Sequence, residues 1–326
     1  MRYRPLGRTG IEVSEIGYGA WGVGGKMWLG ATDDESIAAL TRAIELGVNF
    51  IDTALVYGEG HSEELVGQIE RDLKPPQLYI ASKVPPKNRL WPARPGVGIA
   101  EVFPYDYITQ CTDESLRNLK RDYLDLQQLH VWNPEWIDSD DWRRAFEDLK
   151  KSGKVKNVGL SLNNHEPDSA LDVLRTGLID AVQVIYNIFE QEPAAEFFPV
   201  AKENKVGVIV RVAFDESALT GKLTAETKFA EGDFRTGYFA GDRLGRVVRK
   251  VEEVRKAVGA DEPDLATAAL KFALKPEAVS TVIPGIRNVR QAELNCGVSD
   301  QPAMGDELET KLYDHNWRRA FWYGGK

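Results

Sequence analysis

Four polar side chains stand where apolar runs come to an end. NFIDTALVYG sets Asp52 inside an aliphatic run and Tyr57 just past it, LYIASKV carries Lys83, and LDLQQLHVW carries His130. A lysine enclosed among aliphatic residues is unfavourable unless paired, and Asp52 is its natural partner. A cation beside a phenol favours the phenolate, so Lys83 is expected to draw Tyr57 below its free pKa of about 10. Tyr57 then becomes a usable proton donor or acceptor, and His130 can hydrogen-bond the same reacting oxygen. That set suffices to protonate a carbonyl oxygen while a hydride reaches its carbon. Ser82, Ser161, Asn163, Gln183, Asn187 and Arg211 are the other polar residues late in, or just past, such runs.

These residues converge only if the runs are strands of one barrel. SEIGYGAW, NFIDTALVY, LYIASKV, LDLQQLHVW, VKNVGLSL, DAVQVIYN, VGVIVRVAF and VSTVIPGI are nearly continuous apolar segments, as in strands buried on both faces of a parallel sheet. Helical patterns alternate with them: DDESIAALTRAIELG, SEELVGQIERDL (expected to be capped at Ser62), TDESLRNLKRDY, WRRAFEDLKKSG, DSALDVLRTG, AAEFFPVAKENK and RVVRKVEEVRKAVG. No linker interrupts the series, so residues 1–326 are expected to form one (β/α)₈ barrel domain of the α/β class. A doubly wound sheet is disfavoured, because GVGGKMWLG is not a G-x-G-x-x-G turn running into a helix.

Residues 1–14 read as an N-terminal hairpin around Arg8-Thr9-Gly10 that plugs one end of the barrel, and 303–326 as a C-terminal helix and tail. Three long connections follow strands: 22–34, 85–106 (too proline-rich for a helix) and 215–241. They belong on the C-terminal face, where barrels carry their sites.

The net charge of −9 argues against a broad electrostatic grip on nucleic acid or an anionic membrane. No uncharged apolar run approaches the roughly 18 residues of a membrane span, and the N-terminus lacks a signal-peptide core. Cys111 and Cys296 are read as free thiols in a soluble, cytoplasmic protein. No His/Asp/Glu cluster has metal-ligand spacing.

FIDTALVYG with SEELVG, IASKV, DLQQLHVW, GLSLNN, VQVIYN, ALTGKL and VIPGIRNVRQAELN together resemble the aldo-keto reductase superfamily, over nearly the whole chain. The resemblance implies an NADP-dependent oxidoreductase, with NAD possible, acting on a small carbonyl or alcohol substrate. Asp52, Tyr57, Lys83 and His130 would be its catalytic tetrad, Tyr57 acting as the general acid or base. Ser161 and Gln183 would hold the nicotinamide carboxamide with Asn163 nearby, and Leu219, Gly221 and Lys222 would lie in the loop crossing the pyrophosphate. Gly285, Arg287, Arg290, Gln291 and Asn295 would form the adenosine end, where Asn288 and Gln291 read as a capping box opening a phosphate-binding helix.

Two positions depart from the family pattern. Leu162 replaces an asparagine, and Arg211 replaces an aromatic ring, so Arg211 either contacts the nicotinamide, meets an anion or makes a buried ion pair. Trp21, Trp28, Trp91 and Trp132 are candidate walls of the substrate pocket, Trp21 and Trp132 foremost. His61 and His165 read as surface turn residues. A sugar or alcohol dehydrogenase, a cofactor-retaining epimerase and a channel-regulatory subunit are the alternatives; neither the substrate nor the oligomeric state follows from the sequence.

Overall fold

The structure, a computed structural model, describes residues 1–25, 30 and 32–319. Trp28 and the tail from residue 320 onward lie outside the described residues. The chain opens with an antiparallel pair, β1 (Tyr3–Pro5) and β2 (Glu12–Ser14), in which Tyr3 faces Ser14 and Pro5 faces Glu12. Eight parallel strands follow: β3 (Tyr18–Gly19), β4 (Phe50–Asp52), β5 (Tyr79–Val84), β6 (Leu124–Leu129), β7 (Val155–Ser161), β8 (Ala181–Ile185), β9 (Gly207–Arg211) and β10 (Val279–Val282). Each pairs with the next in chain order.

The sheet closes on itself. Gly17 N–H donates to Val282 O at 2.8 Å, Val282 N–H to Glu15 O at 2.9 Å, and Gly19 N–H to Pro284 O at 3.1 Å. Glycine is required at this seam: a Cβ on Gly19 would lie 2.8 Å from the Ile283 carbonyl oxygen. The result is the expected eight-stranded barrel with helices outside it.

Inside, Phe50, Ala81, Leu126, Ala181, Ile209 and Ile283 pack with Leu6 and Val13 of the hairpin, all but Ile283 fully removed from solvent. The hairpin therefore plugs the N-terminal mouth, and a Cβ on Gly207 would collide with Leu6 at 2.6 Å. Buried Glu15 anchors the plug by accepting from Arg2 at 2.7 Å and Arg4 at 2.9 Å.

The outer helices are amphipathic. In Asp140–Lys151, for example, Trp142, Ala145, Phe146 and Leu149 line one buried face, and Ser139 caps the start. Several expected boundaries shift. The helix His61–Leu73 starts from Gly60 in a left-handed conformation (φ 96°), not from Ser62. Ser62 instead pairs its hydroxyl with Thr53 Oγ1 at 2.9 Å and donates to Ala20 O at 3.2 Å. The long connection after β5 contains one helical turn, Ile99–Val102, and a helix already begins at Tyr105. Leu265–Leu274 is a helix absent from the expected series; LATAALKFAL is buried nearly all round, so it shows no amphipathic period. No helix among the described residues is long and apolar enough to cross a membrane.

Candidate active site

A cavity of about 1100 Å³ opens at the C-terminal ends of the strands. Asp52 is the last residue of β4 and Tyr57 lies in the turn that follows. Lys83 is the penultimate residue of β5, and His130 comes directly after β6. Lys83 is completely buried. Its ammonium donates to Asp52 Oδ2 at 2.6 Å, to the Thr53 carbonyl at 2.7 Å and to Tyr57 Oη at 3.3 Å, which uses all three of its donors. The Tyr57 and His130 rings meet edge to face at 5.8 Å, and Trp91 meets His130 in the same way at 5.9 Å.

One electrostatic expectation is reversed. Burial raises the Tyr57 pKa above its ordinary value and outweighs the pull of Lys83. Burial alone would lower Lys83, but Asp52 and Tyr57 more than offset it, so the ammonium persists. His130 is held well below the ordinary imidazole range by burial, with Lys83 and Arg211 adding to the effect, and is therefore neutral. Its Nδ1 is buried and has no hydrogen-bond partner among the described residues.

The other oxygen of Asp52 is also engaged. Gln183 Nε2 donates to Oδ1 at 2.8 Å and Gln128 Nε2 at 3.3 Å. Gln128 had no place among the sequence candidates; the signal for it was a pair of amides, Gln127 and Gln128, in a strand whose other residues are three leucines and Asp125.

The remaining candidates divide. Ser161, Gln183, Arg211, Lys222, Gly285, Arg287, Gln291 and Asn295 line the cavity, as do Trp21 and Trp91. Asn163 lines it too, but its amide is occupied: Oδ1 accepts from Ala93 N–H at 3.1 Å and Nδ2 donates to Glu166 at 2.8 Å. Arg211 donates to the Leu162 carbonyl and to Asn164 Oδ1, both at 2.9 Å. Leu219 and Gly221 stand behind the lining; Leu219 is fully buried and the Gly221 carbonyl accepts from Arg255 at 3.0 Å.

Arg290 is exposed, outside the cavity wall. Trp132 is fully buried and turned away from the cavity, donating to Ser169 O at 3.1 Å and packing edge to face on Trp136 and Trp142. The capping box closes one residue early: Asn288 Oδ1 accepts from Gln291 N–H, while Gln291 Oε1 accepts from Arg287 N–H rather than that of Asn288. His165 is not a surface residue, since its Nδ1 lies 2.6 Å from buried Glu190. His61 sits at the surface, 2.9 Å from Asp33.

The long connection after β9, expected on this face, adds wall residues that the sequence reading does not name one by one. Asp215, Glu216 and Ser217 take consecutive left-handed conformations (φ 46°, 53° and 82°), and Phe234 meets Trp21 edge to face at 5.4 Å. Asp215 is held by Arg319 through two bonds of 2.6 and 2.8 Å. Glu216 faces the cavity, with its pKa raised to about 7 by burial first and by Asp215 second.

Residues 15–310 match the model of the Aldo/keto reductase family, and the chain belongs to that family. It is 32% identical over 240 residues to the aldo-keto reductase YhdN of Bacillus subtilis, covering 72% of this chain and 69% of that one. It is 27% identical over 333 residues to the NADH-specific methylglyoxal reductase of Escherichia coli, covering 95% of this chain and all of the other. Among solved structures, the holo form of aldo-keto reductase AKR11C1 from Bacillus halodurans superposes with a TM-score of 0.77 at 25% identity, covering 97% and 96% of the two chains. The glycerol dehydrogenase AKR11B4 from Gluconobacter oxydans gives 0.78 at 25% identity, covering 96% and 94%.

Proposed function

We propose that this chain reduces an aldehyde or ketone with NADPH, reversibly, with Tyr57 as the proton donor to the carbonyl oxygen. The observation that carries this reading is the closed polar set at the cavity floor, in which Lys83 touches both Asp52 and Tyr57. A nicotinamide dinucleotide suits the residues present. The cavity runs from Tyr57 and His130 past Ser161 and Gln183 to Gly285, Arg287, Gln291 and Asn295. Gln183 Nε2 must face the acceptor-only Asp52, which turns Oε1 of the same amide to a side where no described residue donates to it. Ser161 and Gln183 would hold the carboxamide, Lys222 would lie along the phosphates, and Arg287 would meet a 2'-phosphate at the far end.

When bound, the cofactor supplies the hydride. The protein's own work is to hold and move a proton at Tyr57 Oη. Burial keeps that phenol protonated until the substrate oxygen gains charge, and Lys83, kept charged by Asp52, then stabilises the phenolate left behind. Neutral His130 can give a ring N–H to the same substrate oxygen without adding a charge beside Lys83. Trp21 and Trp91 would wall the substrate.

The preference for NADP rests on Arg287 alone, because Arg290 stands outside the cavity wall. The E. coli relative's name, NADH-specific, makes NAD the second reading. Cys111 and Cys296 are both free and buried, which supports a cytoplasmic setting. Tyr57→Phe should lower turnover on the order of 10³-fold while leaving NADPH binding nearly unchanged. Wild-type-like rates in that variant would exclude the proposed proton donor. Arg287→Ala should weaken NADPH about tenfold and leave NADH as it was, read by quenching of tryptophan fluorescence; equal weakening of both would place the 2'-phosphate elsewhere.

A further inference from the structure

We propose that Gln128 and Gln183 are positioning residues for the proton-transfer set, holding the orientation and charge of the Asp52 carboxylate from two walls of the barrel. The inference rests on Tyr57 being the proton donor. Gln128 lies on β6 directly across from Lys83 in the strand register. Gln183 lies on β8, four strands from β4 in a ring of eight, so its side chain crosses the barrel to reach Asp52. Both amides point their N–H groups at one oxygen, Oδ1, and leave Oδ2 to Lys83. Gln128 is fully buried and does not line the cavity, so it has no direct access to substrate or cofactor.

The chemistry follows from how the carboxylate's charge is shared. With two amide donors on Oδ1, less negative charge acts on Lys83 and, beyond it, on Tyr57. Without them, Asp52 would grip the ammonium harder, and Lys83 would stabilise the Tyr57 phenolate less. Tyr57 would then be the weaker acid. The charged or titratable groups facing Tyr57 are Asp52 from β4, Lys83 from β5, His130 after β6 and Arg211 from β9. None of the four changes when either glutamine is replaced. Gln183 also offers Oε1 to the cavity. A hydrogen-bond donor there polarises the amide and strengthens its N–H bond to Asp52, so occupancy of the cavity is coupled to the set beneath it.

The test uses the purified full chain with NADPH and 4-nitrobenzaldehyde. Gln128→Met removes the donor but keeps the bulk. It should lower kcat about tenfold, enlarge the solvent deuterium isotope effect on kcat and move the basic limb of the kcat–pH profile up by about one unit. NADPH affinity should stay within about twofold of wild type, because Gln128 lies off the cavity. Gln183→Met should show the same signature and also weaken NADPH. Should Gln128→Met not fold, Gln128→Glu keeps the shape and sets a second anion beside Asp52, and the limb should move further in the same direction. An unchanged profile and isotope effect in the folded Gln128 variant overturns the inference alone, provided Tyr57→Phe is inactive. An active Tyr57→Phe overturns the reading beneath it.

Discussion

At one mouth of the barrel Leu6 and Val13 enter a packed apolar layer; at the other, Asp52, Lys83, Gln128 and Gln183 meet in a layer that is equally buried and wholly polar. The two layers are contributed by the same strands: Ala81 and Lys83 lie two residues apart on β5, and Leu126 and Gln128 two apart on β6. Because side chains two apart on a strand share a face, both pairs point into the barrel, one level above the other. The difference lies in what replaces water. The lower layer needs only matching volume, and Gly207 is a concession to it. The upper layer needs partners for its charges, which confines Lys83 to three acceptors and Asp52 to three donors. A packing error in the first layer is expected to cost stability alone, and a charge error in the second to cost stability and turnover together.

Asp52→Leu and Leu6→Ala break the two layers in ways that should separate cleanly. Removing Asp52 leaves a buried ammonium without its anion, and a loss of about 3–5 kcal/mol in stability is expected together with turnover. Leu6→Ala deletes apolar volume behind Gly207 and should lose about 2–4 kcal/mol. Its kcat below the melting temperature should be that of the wild type. Urea titration with activity measured on the same samples checks both. A Leu6→Ala chain that is folded but inactive would mean that the plug reaches the upper layer, and the contrast between the two mouths would fail.

The contrast also explains what the sequence could tell. The strands were legible because both layers, and the helices over them, bury aliphatic residues in continuous runs; Asp52, Lys83 and His130 were legible as polar interruptions of those runs. Gln128 interrupts a run in the same way. It is hidden in the sequence because His130, two residues further on, stands as the polar end of that run, and its partner on β4 is remote. Leu265–Leu274 shows no period because it is buried nearly all round. Trp132 follows a strand, as Trp21 does, but turns outward to Trp136 and Trp142. The direction of a side chain just past a strand depends on the loop, and composition does not fix it. The sign of the Tyr57 shift was missed for a related reason. The neighbouring cation is visible in the sequence, whereas the burial that outweighs it exists only in the folded barrel.

Glu216 tests where the polar mouth stops being fully compensated. It stands in the loop after β9 and faces the cavity, with Arg211, Arg235 and Arg319 drawing its pKa down and burial together with Asp215 driving it up to about 7. An unfolded glutamate titrates near 4.5. Between those two values the folded chain keeps a proton that the unfolded chain releases. The stabilising difference is therefore complete below the unfolded value and is lost as pH rises through about 7. Glu216→Gln cannot ionise and should escape that loss. At pH above 8 it should be more stable than wild type by about 1–2 kcal/mol, a figure reduced from the full shift because the group meets water in the cavity. Near pH 4 the two chains should unfold together. Melting curves across this range decide the matter. A constant gap would trace the effect to packing, and a wild-type advantage above pH 8 would mean that the three arginines outweigh burial, so that the second mouth is compensated out to its rim.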